Sequence, residues 1–363
     1  MVMFGHAMLP YLTVPRRFQD ANASVIFDVS GLFVYSFAMQ AFFLTAGFSS
    51  ALVLDRRGIG GLIKNRVYRI LLPFLAAFVL LSPVTRAAHL FGRETSATQS
   101  LQAGLDVLSH AHLLRWSKLY HLWFLPALLI FTAVALLAWV VLRRVGPTLI
   151  ARMDGVSRRM LASRWRVAFL ALAIAPGAVW AYILPDGSAR TAWLGLPLLT
   201  FFLFGWLLYR YREVLPLFAA QANRLVLLAV LATPITVWAS RVRLIAQGEH
   251  DAVIGVVAGL GNSVLAACMT CGLLGLFQSR LDQPSAFWRY VSDASYWIYL
   301  VHFPLVLFVA AALAVTDLPA VIKYLLTIGI VLPIVLGSYQ LLVNGTRLGG
   351  ILIGGRRKAK AVS

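Results

Sequence analysis

Nine stretches of this chain stay apolar for roughly twenty residues each, and no other feature restricts its fold so much. A helix needs about 20 such residues to cross about 30 Å of hydrocarbon. The runs fall at 29–54, 67–85, 121–142, 167–184, 191–209, 225–240, 253–277, 293–313 and 320–343. Composition agrees. Of 363 residues, 60% are hydrophobic and 12% charged, with a mean hydropathy of +0.82. Soluble domains are about half apolar and about a quarter charged. Disordered, collagenous, coiled-coil and small disulfide-stapled classes are all excluded. The expected fold is all-α, a polytopic integral membrane helical bundle.

An apolar stub at 1–12 precedes these runs. At about 1.5 Å per residue it reaches only about 18 Å. It lacks the positively charged start and small-residue cleavage site of a signal peptide. The expectation is a first helix truncated at its N-terminus, with about ten transmembrane helices in the intact protein. The chain divides into a membrane domain, 1–343, and a basic cytoplasmic tail, 344–363. The longest gap between runs is 86–120, and about a third of it is expected to be short helix.

The net charge is +19 and the isoelectric point near 10.8. In a soluble chain this would suggest nucleic acid. Here the cations sit mainly in the short loops between apolar runs, so topology explains them better, and no nucleic-acid partner is expected. Twenty-two of the 32 Lys and Arg fall on one set of alternating segments, and nine on the other: Arg16, Arg17, Arg86, Arg93, Arg115, Lys118, Arg190, Arg241 and Arg243. Lys323 stands near a helix end. The positive-inside bias places the larger set in the cytoplasm, and both termini with it. The expected location is therefore a multi-pass cell (inner) membrane. Cys268 and Cys271 form a C-x-x-C inside an apolar run, where a redox thiol lacks solvent access. They read as small core residues.

Ionisable side chains at membrane depth cost about 2.5–3.5 kcal/mol on insertion scales, and are functional candidates by default. Three histidines qualify: His6 in the stub, His121 at the start of one run, and His302 inside another. The topology puts His6 a turn or two from the outer surface, His121 at that surface and His302 near the midplane. A lone buried histidine is more often bonded to a backbone carbonyl; three on separate spans argue for function. Arg66 and Arg69 lie three apart, so they share a helix face at the cytoplasmic mouth. They could hold phosphate oxygens bidentately or simply anchor to lipid phosphates, and spacing leaves both open.

The ordered motifs carry a resemblance. Met39-Gln40-Ala41-Phe42-Phe43-Leu44-Thr45-Ala46-Gly47, Arg66-x-x-Arg69, His121-Leu122-Trp123-Phe124-Leu125, and Ala294-Ser295 with Ile298-Tyr299-Leu300-Val301-His302 and Pro304 resemble the landmarks of membrane acyltransferase family 3. Within it the resemblance is to the branch that acylates periplasmic glucans. It covers nearly the whole chain, to about Tyr339. The sequence departs from the pattern twice. A basic residue expected about ten positions before the first-helix histidine would precede Met1. A motif serine is Ala46 here, so its hydrogen bond is dispensable or supplied by Thr45.

The resemblance implies an integral membrane O-acyltransferase with acyl-coenzyme A as co-substrate, a hydroxyl of a glucan or other envelope carbohydrate as acceptor, and no metal. A sugar hydroxyl needs a base to take its proton as it attacks. His6 is the first choice for that base and His302 the second, the latter also able to hold the thioester or relay the acyl group. Arg66 and Arg69 would hold the coenzyme's phosphates, with Arg56 and Arg57 as an electrostatic funnel. His121, Trp123, Gln40 and Tyr299 are assigned to the substrates. Asp28 and Asp293 could orient a histidine, but read more simply as helix-end residues near water.

Other signals are weaker. Gly58-Ile59-Gly60-Gly61 reads as a loop, and is neither a dinucleotide fingerprint nor a P-loop. Asn22-Ala23-Ser24 fits a glycosylation sequon only in a eukaryotic source. Trp116, Trp123, Trp193 and Trp288 near span ends read as an interfacial belt. Ser292 and Ser295 read as caps. Two rival classes are a multi-span transporter or flippase of an envelope precursor, which would show no acyl-coenzyme A turnover, and an inactive assembly subunit, which would bind a partner without transfer.

Overall fold

The computed structural model describes residues 1–14, 16–116, 118–144, 146–184, 187–245, 252–281, 285–346 and 349. The basic tail residues Arg347, Arg356, Arg357, Lys358 and Lys360 lie outside them, as does the side chain of Arg190. The described chain is built from helices α1 (Val2–Met8), α2 (Val25–Arg66), α3 (Leu72–Thr98), α4 (Leu101–His110), α5 (Phe124–Arg144), α6 (Pro147–Ala162), α7 (Arg166–Ile183), α8 (Gly187–Arg210), α9 (Leu215–Ile245), α10 (Ala252–Arg280), α11 (Ala286–Ala314) and α12 (Ala320–Leu342). A π-helical turn, Val67–Leu71, joins α2 to α3. No strand occurs among the described residues.

Each of the nine apolar runs lies on a helix. Seven helical stretches are long and apolar enough to cross a membrane, the first of them, Val25–Thr98, being 74 residues long, and Gly195–Arg210 is a shorter apolar helix. Hydrocarbon offers no partner to a backbone N–H or C=O, so helices that satisfy themselves are the natural outcome. Large aliphatic side chains face outward, with Leu172 and Leu341 72% and 79% exposed. The protein is an all-α, multi-pass membrane protein.

Helix extends further between the spans than the sequence suggests. In the 86–120 gap, α3 continues to Thr98 and α4 adds Leu101–His110. Here α3 still has a partner: Ala88 and Phe91 pack on Phe303, Leu307 and Ala310 of α11. A serine caps α4, Ser100 accepting from the Ala103 N–H. Gly58 was expected in a loop, and is instead a single-residue break (φ 65°, ψ −175°) with helix on both sides. A positive φ is the conformation that glycine alone adopts without cost.

The chain divides into two compact units. The first holds Met1–Gly31, Ile63–Leu129 and Pro284–Ser363. Seven residues are too few for a helix to persist alone, and α1 is held by packing: Met3 and Ala7 lie against Val306 of α11 and Val331 and Val335 of α12. The segment after it is tied down by backbone hydrogen bonds. The Asp20 N–H donates to the Pro10 carbonyl, and the Ser24 N–H to that of Tyr11. At its centre Lys323 of α12 donates to both carboxylate oxygens of Asp20, at 3.0 and 2.8 Å, with both side chains fully buried.

The second unit holds Leu32–Leu62 and Ile130–Gln283. Small residues let its helices approach closely. A Cβ on Gly47 of α2 would strike the Phe202 carbonyl of α8, and one on Gly205 of α8 that of Leu44. Gly259 and Gly275 do the same for α10 against Val179 of α7 and Phe218 of α9. Cys268 and Cys271 are free and buried on α10. The Thr45 hydroxyl donates to the Ala41 and Phe42 carbonyls of its own helix.

Candidate active site

In the first unit, α1, the 3-10 turn Tyr120–Trp123 and α11 bring His6, His121 and His302 together. The His6 and His302 rings stack with centroids 5.1 Å apart, and His121 stands edge-on to both, at 6.4 and 5.5 Å. The sequence placed these residues at three different depths, and the structure does not keep them apart. The reason lies in residues 111–116. They form no helix but run back along α3, where the Arg86 Nε–H donates to the His112 carbonyl and the Trp116 Nε1–H to that of Val79. His121, a few residues further on, is buried.

Hydrogen bonds fix which nitrogens carry hydrogen. His302 Nδ1 contacts the Ile298 and Tyr299 carbonyls at 2.8 and 2.9 Å. Carbonyls only accept, so Nδ1 is the donor, and Nε2 of the neutral ring is an acceptor. That Nε2 lies 2.8 Å from His6 Nδ1, which must then donate. His6 Nε2 is left with an unshared electron pair. His121 Nε2 donates to the Leu300 carbonyl at 3.0 Å, leaving Nδ1 as an acceptor, buried and without a hydrogen-bond partner. The Tyr299 hydroxyl donates to the His121 carbonyl at 2.7 Å.

Two prolines open the carbonyls used here. A proline inside a helix has no N–H for the carbonyl four residues back. For Pro304 of α11 that carbonyl is Leu300, which takes the His121 Nε2–H. For Pro83 of α3 it is Val79, which takes the Trp116 indole. Trp116 is thus more than a belt residue. It pins the segment that delivers His121.

Other residues that the sequence reading passed over join the group. Phe303 is central, with ring centroids 4.6 Å from His6, 4.9 Å from His121 and 5.7 Å from His89. His89 of α3 stacks on Tyr120 at 5.1 Å. Tyr120, which opens the turn holding His121, has φ 47°, a left-handed conformation costly for a bulky residue. Only the proximity of Tyr120 to a motif hinted at it; His89 had no signal of its own.

The remaining candidates stand elsewhere. Trp123 is 40% exposed. Arg66 ends α2 and Arg69 lies within the π-helical turn, half-buried and exposed respectively; the turn interrupts the regular face that their spacing suggested. Arg56, Arg57 and Gln40 belong to the second unit, the arginines exposed and Gln40 buried with its Oε1 unpartnered. Asp28 accepts from the Thr13 N–H at 2.8 Å and from the Thr13 hydroxyl, and Asp293 is exposed. His302 is instead oriented by carbonyls of its own helix. Among the described residues, no group of three or more His, Cys, Asp or Glu is arranged to hold a metal.

The family profile described as "Acyltransferase domain" matches residues 1–340. Similar chains include the glucans biosynthesis protein C of Escherichia coli K12 and that of E. coli O157:H7. Each is 27% identical over 314 residues, covering 84% of this chain and 78% of the relative. No solved structure gives a significant match. The helical membrane architecture and the profile spanning nearly all of it lead to one conclusion: the chain belongs to the membrane acyltransferase family 3, and is an acyltransferase.

Proposed function

We propose that this acyltransferase moves an acyl group, acetyl or succinyl, from cytoplasmic acyl-coenzyme A to a hydroxyl of a glucan or other envelope carbohydrate. It would do so in the cytoplasmic membrane, with both termini on the cytoplasmic face. The observation that carries the reading is the His6–His302 pair, 2.8 Å apart and leaving His6 Nε2 as a free base. The names of the similar E. coli proteins support a glucan acceptor.

In this reading His6 Nε2 takes the hydroxyl proton as the oxygen attacks the thioester carbonyl carbon. The new C–O bond forms, the C–S bond breaks, and the His6 imidazolium returns its proton to the leaving thiolate. His302 accepts from His6 Nδ1 throughout, orienting the base and sharing its charge as the orienting member of a catalytic triad does. It acts through His6 as a positioning residue. Arg66 and Arg69, with Arg56 and Arg57 nearby in sequence, hold the coenzyme's phosphates by charge-assisted hydrogen bonds. His121, Tyr299, Trp123 and Gln40 serve the substrates.

Arg66→Ala is expected to raise KM for acyl-coenzyme A about tenfold or more, the loss of one charged hydrogen bond, with little change in kcat. Steady-state kinetics checks it. Pro304→Ala restores an N–H that competes for the Leu300 carbonyl. Losing a neutral bond worth about 1 kcal/mol, it should lower kcat about fivefold while the protein remains folded; unchanged kcat would remove the carbonyl from the account. The whole reading is tested by mass spectrometry of envelope glycans with and without the gene. A gene-dependent mass increment that base treatment removes is expected, and its size names the acyl group. Glycans of unchanged mass would contradict it.

A further inference from the structure

A second feature of the first unit is a cavity of about 510 Å³, within the range of small-ligand sites. Its lining includes Arg16, Arg17, Arg86, Arg93 and Lys118, together with His89, and no Asp or Glu among the described residues. These five cations are the greater part of the nine on the sparsely charged set of segments. Topology selects against Lys and Arg on the outer side, so five gathered round one cavity need another explanation.

The cavity adjoins the histidines. Leu9 and Pro10 in its wall follow directly on the helix of His6, and Tyr120 directly precedes His121. His89 bridges the two, 5.7 Å from the Phe303 ring that itself lies 4.6 Å from His6. Arg16, Arg17, Arg93 and Lys118 are exposed, so a ligand can reach them from water. Concentrated positive charge in a concave site focuses the field on anions.

We propose that this cavity docks the acceptor, and that the acceptor is an anionic carbohydrate bearing phosphate or carboxylate groups. The inference rests on the acyl-transfer reading above. It makes the cations the group that chooses the acceptor, leaving His6 to act on whichever hydroxyl is held nearest.

The test measures binding separately from transfer. Purified protein in discs of zwitterionic lipid is titrated with a neutral glucose oligomer and with the same oligomer carrying one phosphate ester. The phosphorylated oligomer is expected to bind at least about tenfold tighter, the effect of a charged hydrogen bond. The advantage should shrink with salt and disappear in Arg17→Gln/Arg93→Gln. Lys118→Gln alone, expected to lose about threefold as one exposed ion pair, serves if the double variant does not fold. Equal binding of the two oligomers overturns the proposal even if acyl transfer to the neutral one proceeds. Tight, arginine-dependent binding with no transfer to any oligomer supports the cavity and overturns the transferase chemistry instead. A third arm adds phosphatidylglycerol to the discs. If that lipid occupies the site and the phosphorylated oligomer does not bind even in its absence, the cations serve a lipid headgroup and the proposal fails.

Discussion

Replacing His6 by alanine is expected to lower acyl transfer about 100- to 10,000-fold, the contribution of a positioned general base. The expectation comes from the tautomer chain. His302 is committed to its own helix through Nδ1, His6 is committed to His302, and of this pair one basic nitrogen, His6 Nε2, is left. His302→Ala should cost less, because His6 keeps its base but loses the partner that aims it, and losing the orienting member of a triad alone costs less than losing the base. Turnover measured on folded, monodisperse protein checks the order. If His302→Ala is the more damaging change, the roles are reversed; if neither matters, the pair is structural.

The second large effect is on stability. Asp20→Ala leaves the Lys323 amine in a fully buried site with its carboxylate gone. Breaking a buried pair from one side costs about 3–5 kcal/mol. For a chain of this size that lowers Tm by about 10 °C. Lys323→Met should do the same from the other side. Changing both together, Asp20→Leu with Lys323→Met, should recover most of the loss, since a buried pair exchanged for apolar groups is often neutral. Thermal unfolding in detergent measures all three. Because Asp20 lies between α1 and α2, the single variants should also loosen the segment that seats His6. Single variants as stable as the parent would show that the pair contributes nothing.

The spans were legible in the sequence because the requirement that defines them is local. A run such as 320–343 needs only its own side chains to declare itself a helix in lipid. The three histidines were legible as candidates for the same reason: an imidazole at 302, amid Leu and Val, is costly unless used. What could not be read was their meeting. Convergence depends on 111–116 turning back along α3, and that path is set by contacts with Val79 and Arg86 far off in sequence. The prolines were visible, but the carbonyls that they expose have meaning only once Trp116 and His121 are found against them. Lys323 was placed near a helix end, since its partner, Asp20, lies 303 positions away. Likewise Arg16, Arg86 and Lys118 read as scattered loop cations until the fold gathered them round one cavity.

One measurement tests the central claim most directly. Protein reconstituted in vesicles is given acyl-coenzyme A labelled in its acyl group, with neutral and phosphorylated glucose oligomers as acceptors, and the label is followed into base-labile ester. The account predicts that label passes from thioester to carbohydrate with the parent protein, and that His6→Ala, equally folded and still binding the donor, transfers almost none. Ester formed by His6→Ala at the parent rate, or no ester formed by the parent protein, would contradict it.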